Sequence, residues 1–207
     1  MALAQTRLRL RVPSSLTALQ PQNVTLVRPH QEGLPEYLSA LEQGFNPNPM
    51  LGEKGRQLAM ALARFQPDEY LAQAHDPEGV GPPILCPDGS TVPRLPSILR
   101  WIWAEGFVGT IGFRWAREST DLPPTCLGHI GYAVVPWAHN QGIATKALGL
   151  MLQEARALKM PFVTLCTRED FLASQRVILK NGGHEVERFV SPPELGSEPG
   201  IRFKITL

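Results

Sequence analysis

The chain has little cysteine, almost no net charge and no long apolar run, and each shortage closes off a class of protein. Its three cysteines, Cys86, Cys126 and Cys166, lie far apart with no CxxC pair. An odd, sparse set excludes a disulfide framework and fits a reducing compartment, the cytoplasm. The five histidines show no ligand spacing either, so no metal is expected. Twenty basic residues against nineteen acidic ones leave a net charge of +1. Bulk electrostatics therefore do not point to nucleic acid or to an acidic membrane. Arg7, Arg9 and Arg11 form the only tight basic set, too short for a nucleic-acid patch. No apolar run approaches the roughly 20 residues of a membrane span. The N-terminus, without an acid before Glu32, lacks the apolar stretch of a secretory signal. Its Arg7–Val12 segment alternates like an edge strand or a flexible arm.

What is present is enough for a core. The 207 residues are 43% hydrophobic, and the length suits one domain with an extra arm. The division expected is an arm over 1–23 and one domain over 24–207. Residues 23–28 read as a strand, and helices are expected near 33–44 and 53–65. The stretch 66–96 carries seven prolines and three glycines, which argues against helix. Within it, Pro87-Asp88-Gly89 predicts a small hairpin between 84–86 and 91–92. A long irregular loop of this kind is a place to shape a substrate pocket. Residues 97–104 and 107–114, split by Glu105-Gly106, read as a hairpin. A strand is expected over 125–136, a helix over 142–158, a strand over 161–167, a helix over 171–181, and strands over 184–190 and 201–207. The helix 142–158 is the clearest, because Ala144, Ala147, Leu148, Met151, Leu152, Ala155 and Leu158 form one apolar stripe. Edge strands at 7–12 and 201–207 offer a route to a homodimer.

The most informative stretch runs from Ile130 to Thr145. It reads as a strand, a glycine-containing turn and a helix start. A helix start leaves backbone N–H groups without partners, and the helix dipole adds positive potential, so the turn suits a phosphate. Gly142 and the small Ala144 let a bulky anion approach the main chain. The Rossmann and P-loop glycine patterns are both missing. The segment instead resembles motif A of the GCN5-related N-acetyltransferases, [RQ]-x-x-G-x-[GA] after a strand. Gly142 and Ala144 match its last two positions, and His139 stands where the motif has Arg or Gln. Pro161–Cys166 resembles the family's next strand, and Ala173–Gly183, ending in Lys180-Asn181-Gly182-Gly183, its next helix and turn. The flanking His-Ile-Gly-Tyr and Ile-Leu-Lys-Asn-Gly-Gly runs resemble a bacterial subgroup of predicted acetyltransferases.

The resemblance implies an α+β acyl-CoA N-acyltransferase fold: a mixed, mostly antiparallel sheet flanked by helices, with splayed central strands. It implies acetyl-CoA as cosubstrate and an N-acetyltransferase acting on a primary amine of a small molecule or protein. The backbone of Asn140, Gln141, Gly142, Ile143 and Ala144 would hold the pyrophosphate. Thr145 would add a hydroxyl, and His139 would stand beside the phosphates. The exposed backbone of Val134 and Val135 would pair with the pantetheine arm like an added strand. Direct transfer needs a neutral amine, donors for the oxyanion and help for the departing thiolate. His129 falls where many members place a glutamate base, and its ordinary pKa suits that role. The family's thiolate-protonating tyrosine position is Ile178 here, and an asparagine common at that helix's start is Phe171. Ser174, one turn earlier, and Tyr132 are the substitute donors. Arg114 is a candidate for a substrate carboxylate, with Glu118 or Asp121 near the amine. No covalent nucleophile is needed, so Cys126 and Cys166 read as small buried residues. His30, His75 and His184 have no motif context and are expected at the surface. The missing tyrosine keeps a second reading open, a non-catalytic module that binds acyl-CoA and signals to a partner.

Overall fold

The computed structural model describes residues 21–86, 88–193 and 196–207. The arm strand expected at 7–12 lies outside these residues. The chain begins with a short strand, β1 (Thr25–Val27), followed by two helices, α1 (Leu34–Glu42) and α2 (Gly52–Phe65). Helix α1 starts on a proline and buries Leu34, Tyr37, Ala40 and Leu41, the three-and-four spacing of one helical face.

A third helix, α3 (Pro67–Gln73), corrects the expectation that 66–96 excludes helix. Its single proline sits in the first turn, where the missing N–H has no helical partner to lose. Asp68 and Glu69 favour the same end through the dipole, and Tyr70 anchors the helix in the core. Beyond it the stretch is irregular apart from β2 (His75–Asp76) and a hairpin of β3 (Ile84–Leu85) and β4 (Thr91–Val92), paired as expected. The buried Asp76 carboxylate holds this loop by accepting the N–H groups of Val80 and Gly81 at 3.0 and 2.8 Å.

The main hairpin is β5 (Ser97–Trp103) and β6 (Phe107–Arg114), and β6 pairs in turn with β7 (Ile130–Val134). The strand expected over 125–136 is shorter because Pro136 opens a 3₁₀ turn and residues 127–129 are drawn toward a neighbouring strand. Then come α4 (Ile143–Ala157), β8 (Phe162–Arg168), α5 (Leu172–Lys180), β9 (His184–Val190) and β10 (Pro199–Thr206). One sheet has the order β1-β5-β6-β7, all antiparallel, with β2 also on β5; a second has the order β8-β10-β9. Strand β10 is therefore central and paired on both sides, so it is no free edge for a dimer. Strand β9 takes the edge instead.

Residues facing each other across a ladder point to one side of a sheet. Trp101, Thr110 and Ala133 share the side that packs against α1 and α3. There Trp101 donates its indole N–H to the Tyr70 hydroxyl at 3.0 Å, and Tyr37 stacks on Tyr70. His30, expected at the surface, packs its ring against Trp101 and Trp103 in the same cluster. Arg100, Ile111 and Tyr132 share the other side, under α4. Helix α4 buries Ile143, Ala147, Leu148, Met151, Leu152 and Ala155; Leu158, assigned to the same stripe, is exposed past the helix end. Each large apolar side chain on that face contributes roughly 1.5–3 kcal/mol. Arg100 clamps Glu154 of α4 through two bonds of 3.1 and 2.8 Å, which fixes the helix over the sheet.

Candidate functional site

Strands β7 and β8 share no ladder, and the two sheets part between them. They touch only at one end. His129 N–H donates to the Thr164 carbonyl at 2.8 Å, and Cys166 Sγ lies 2.7 Å from the Leu127 carbonyl. A Cβ on Gly128 would meet the Thr164 oxygen at 3.1 Å and the Cys166 nitrogen at 3.2 Å, so the close approach needs glycine. Beyond this vertex β7 has an edge without a strand partner among the described residues, which is the arrangement that an extended ligand can complete.

The edge offers Val134 but not Val135. Val135 N–H bonds the Val108 carbonyl, and its own carbonyl accepts Ala138 N–H, both at 3.0 Å. Its groups are spent in the ladder and the turn, which corrects the expectation that Val135 pairs with a ligand arm. Alternation along the strand then turns Val134 to the open side. The Val134 carbonyl receives His139 Nε2 at 2.9 Å, so that imidazole braces the turn to β7. Gly109 lets β6 approach here, since a Cβ at that position would overlap the Ala133 carbonyl.

From Val134 the chain passes through the 3₁₀ turn Pro136–Ala138 to Asn140 and Gly142, both left-handed with φ of 60° and 77°. Gly142 caps α4 without a side-chain bond. The first helical bond runs from Lys146 N–H to the Gly142 carbonyl, at 3.1 Å, which leaves the N–H groups of Ile143, Ala144 and Thr145 directed out of the helix start. Gln141 folds its side chain onto the Trp137 carbonyl at 3.0 Å and stiffens the loop. Beside this start lies a groove of about 470 Å³, lined by Gly142, Thr145, Lys146, Lys180 and Asn181 among others. Asn181 donates to the Thr145 and Val177 carbonyls and joins the end of α5 to the start of α4. Lys146 and Lys180 were not singled out from the sequence. The Lys-Asn-Gly-Gly run marked only a turn, and nothing local says that α5 ends against α4.

The structure brings Tyr132 and Ser174 together. The phenol donates to the Ser174 carbonyl at 3.3 Å and shares a 3.0 Å bond with Ser174 Oγ, reaching from β7 to α5. Burial pushes the Tyr132 hydroxyl up to about 12, so it stays protonated. Ile178, at the position where the resemblance implies tyrosine, is buried. Cys166, also pushed up by burial, to about 11, remains a thiol.

His129 is almost wholly buried, at 1% exposure. Its Nδ1 accepts Thr164 N–H at 3.0 Å and bonds Thr164 Oγ1 at 2.8 Å. The neutral ring therefore carries its proton on Nε2, which forms no well-made hydrogen bond among the described residues. Burial lowers its pKa to about 4; Arg114 adds to the lowering, while Thr120 and Asp121 oppose it. A base role meets two obstacles. The ring gains a proton only by giving up the Thr164 N–H, and its basicity is far below that of an amine. The geometry makes His129 the pin that closes the vertex. His75 is partly buried and His184 exposed on β9. Among the described residues no group of three or more His, Cys, Asp or Glu could hold a metal ion. No described helix is long and apolar enough to cross a membrane.

The sequence matches the acetyltransferase (GNAT) domain family over residues 94–184, a span that includes β5 to β8, the vertex, the loop and α5. Over that span, a little under half of its length, the chain is similar to the acetyltransferase (GNAT) domain. No curated protein matches the chain significantly. Solved structures match the GNAT fold well beyond that span. The microcin C7 self-immunity acetyltransferase MccE, in complex with acetyl-CoA and AMP, is 13% identical with a TM-score of 0.54, covering 92% of this chain and 99% of its own. The aminoglycoside acetyltransferase AAC(6')-Ib, with ribostamycin and coenzyme A, is 15% identical with a TM-score of 0.57, covering 89% and 93%. Mycobacterium smegmatis RimJ, with CoA-disulfide, is 16% identical with a TM-score of 0.58, covering 88% and 81%. At these identities the likeness speaks for the fold.

Proposed function

We propose that the chain transfers the acetyl group of acetyl-CoA directly to a primary amine of a small molecule or protein. The observation that carries this is the unpaired edge of β7, which leads from the vertex at His129 to the helix start at Gly142. The loop N–H groups hold the pyrophosphate, with Lys146 and Lys180 supplying positive charge in the adjoining groove. Val134 pairs with the pantetheine arm and offers its N–H to the thioester oxygen, which becomes the oxyanion. Solved complexes of an aminoglycoside acetyltransferase and of a ribosomal L7/L12 α-N-protein acetyltransferase, each with coenzyme A, support both kinds of acceptor on this fold. We take 24–207 as the catalytic unit, with 1–23 as an arm.

The amine nitrogen attacks the thioester carbonyl, the C–S bond breaks, and the nitrogen gives its proton to water in the cleft. Tyr132 stabilises the departing thiolate. With a hydroxyl near 12 it keeps its proton; by releasing the Ser174 carbonyl and accepting from Ser174 Oγ–H it turns that one donor to the sulfur, which solvent finally protonates. Ser174 Oγ holds the phenol in place. Initial rates over both substrates should give intersecting lines, as direct transfer in a ternary complex requires; parallel lines would mean an acetyl-enzyme and overturn the reading. Tyr132→Phe should lower kcat about 10²- to 10³-fold, the scale of one lost transition-state donor, with coenzyme binding unchanged. An unchanged kcat would remove Tyr132 from the reaction.

A further inference from the structure

Arg114 is a cation without a counter-charge. It lies at the end of β6, and its guanidinium forms no hydrogen bond or ion pair with any described residue. The ladder sets Leu99, Gly112 and Gly131 opposite one another, and Ser97 opposite Arg114. Arg114, Gly112 and Gly131 therefore share the sheet side that carries Ala133. The arginine folds back over both glycines. Its Nη2 is 3.3 Å from where a Cβ of Gly131 would stand and 3.9 Å from that of Gly112. The missing side chains are what give the guanidinium its bed.

The same side continues across the vertex. Arg114 N–H bonds the His129 carbonyl, which extends the register by one pair and puts the His129 ring beside Arg114. That ring presents a buried Nε2–H with no well-formed hydrogen bond among the described residues, the Thr120 backbone lying close enough to favour its proton. His129 reaches Thr164 of β8, and Thr164 faces Lys204 of β10. Lys204 forms no ion pair among the described residues and lies 3.8 Å over the ring of Phe162, which meets His129 edge-on. Asp121 is the one acid whose charge reaches His129. Two cations without ion pairs among the described residues thus lie on the same side of the sheets as the buried His129 ring. Ala133 lies two residues along β7 from Gly131, about 7 Å at strand rise, beside the edge where the thioester is read.

We propose that Arg114, on its Gly112–Gly131 floor with Lys204 as the outer cation, binds a carboxylate of the acceptor. This rests on the acetyl-transfer reading above and narrows it. The acceptor is an acidic amine, an amino acid or a peptide with a carboxylate a few bonds from its amine. Arginine suits this because its planar fork matches a carboxylate in two parallel bonds.

The test uses matched acceptors: amino acids, their carboxamides, and aminoalkyl phosphates. Carboxylate acceptors should exceed their amides in kcat/KM by about 10- to 100-fold, the range of a charge-assisted pair. Arg114→Ala should erase that preference while leaving the rate on amides and the thermal shift by acetyl-CoA intact. Gly131→Val, which displaces the guanidinium and keeps its charge, should do the same. Amides as good as acids, or a preference that survives both substitutions, would overturn the inference. A preference for phosphates that depends on Arg114 would overturn the carboxylate assignment. If no member turns over, stabilisation of the CoA-loaded protein by acids over amides decides the matter, and equal stabilisation overturns it. Failure of acetyl-CoA itself to bind would instead remove the acetyl-transfer reading.

Discussion

His129 shows how burial and tautomer decide the role of a residue whose position suggests another. Its ordinary pKa near 6.5 made it a natural base, but Thr164 occupies Nδ1 and burial lowers the pKa to about 4. The sign of the linkage follows. Between about pH 6.5 and 4 the unfolded chain binds a proton at His129 that the folded chain refuses. Stability from this group is full above the unfolded value, falls as pH drops through that window, and levels below pH 4. The loss amounts to roughly 3 kcal/mol at most. His129→Asn, which keeps an acceptor near the Nδ1 position, should flatten this part of the stability profile. It should leave kcat/KM within about tenfold of the parent, against the 10²–10⁴-fold loss of a positioned base. Chemical denaturation across pH 4–7 and steady-state rates of the same variant check both halves. A loss of several orders of magnitude with stability unchanged would restore the base.

At the scale of elements, the loop from Val134 to Ile143 joins strand geometry to helix-start chemistry. Gly142 sits at φ 77°, where a side chain is strained, and a side chain there would also meet Pro21 at 3.2 Å. Acetyl-CoA should raise the melting temperature of the parent; saturation at 100 times Kd corresponds to about 2.7 kcal/mol. Gly142→Glu should abolish the shift through bulk and repulsion of phosphate. A full shift in that variant would place the pyrophosphate elsewhere. This loop was legible in sequence because its signals are local: a strand, a glycine, a helix start. So were both hairpins, whose turn residues are short-range. Helix α3 was hidden because proline content over a window says nothing of where in a helix the proline falls. The central place of β10 was hidden for another reason. Its last residues read like any alternating strand, and only the two ladders with β8 and β9 show that neither edge is free.

At the scale of the whole molecule, the active geometry is a gap between two sheets rather than a cavity in one. The first sheet stiffens β7 from one side, through β6 and the aromatic cluster around Trp101. The second carries β8 under α5, and the vertex at Gly128–His129 keeps the two in register. The pairing of Tyr132 with Ser174 spans that gap, which is why two residues 42 apart in sequence meet only once both sheets are built. Lys146 and Lys180 meet at the groove for the same reason. All of these parts serve one claim, that the gap brings an acetyl thioester to an amine. The measurement closest to that claim is release of coenzyme A thiol from acetyl-CoA over a panel of primary amines, with Gly142→Glu as the matched control. The account predicts release that depends on the amine, strongest with carboxylate-bearing members, and none above background in the control. Coenzyme binding without amine-dependent release anywhere in the panel would contradict it.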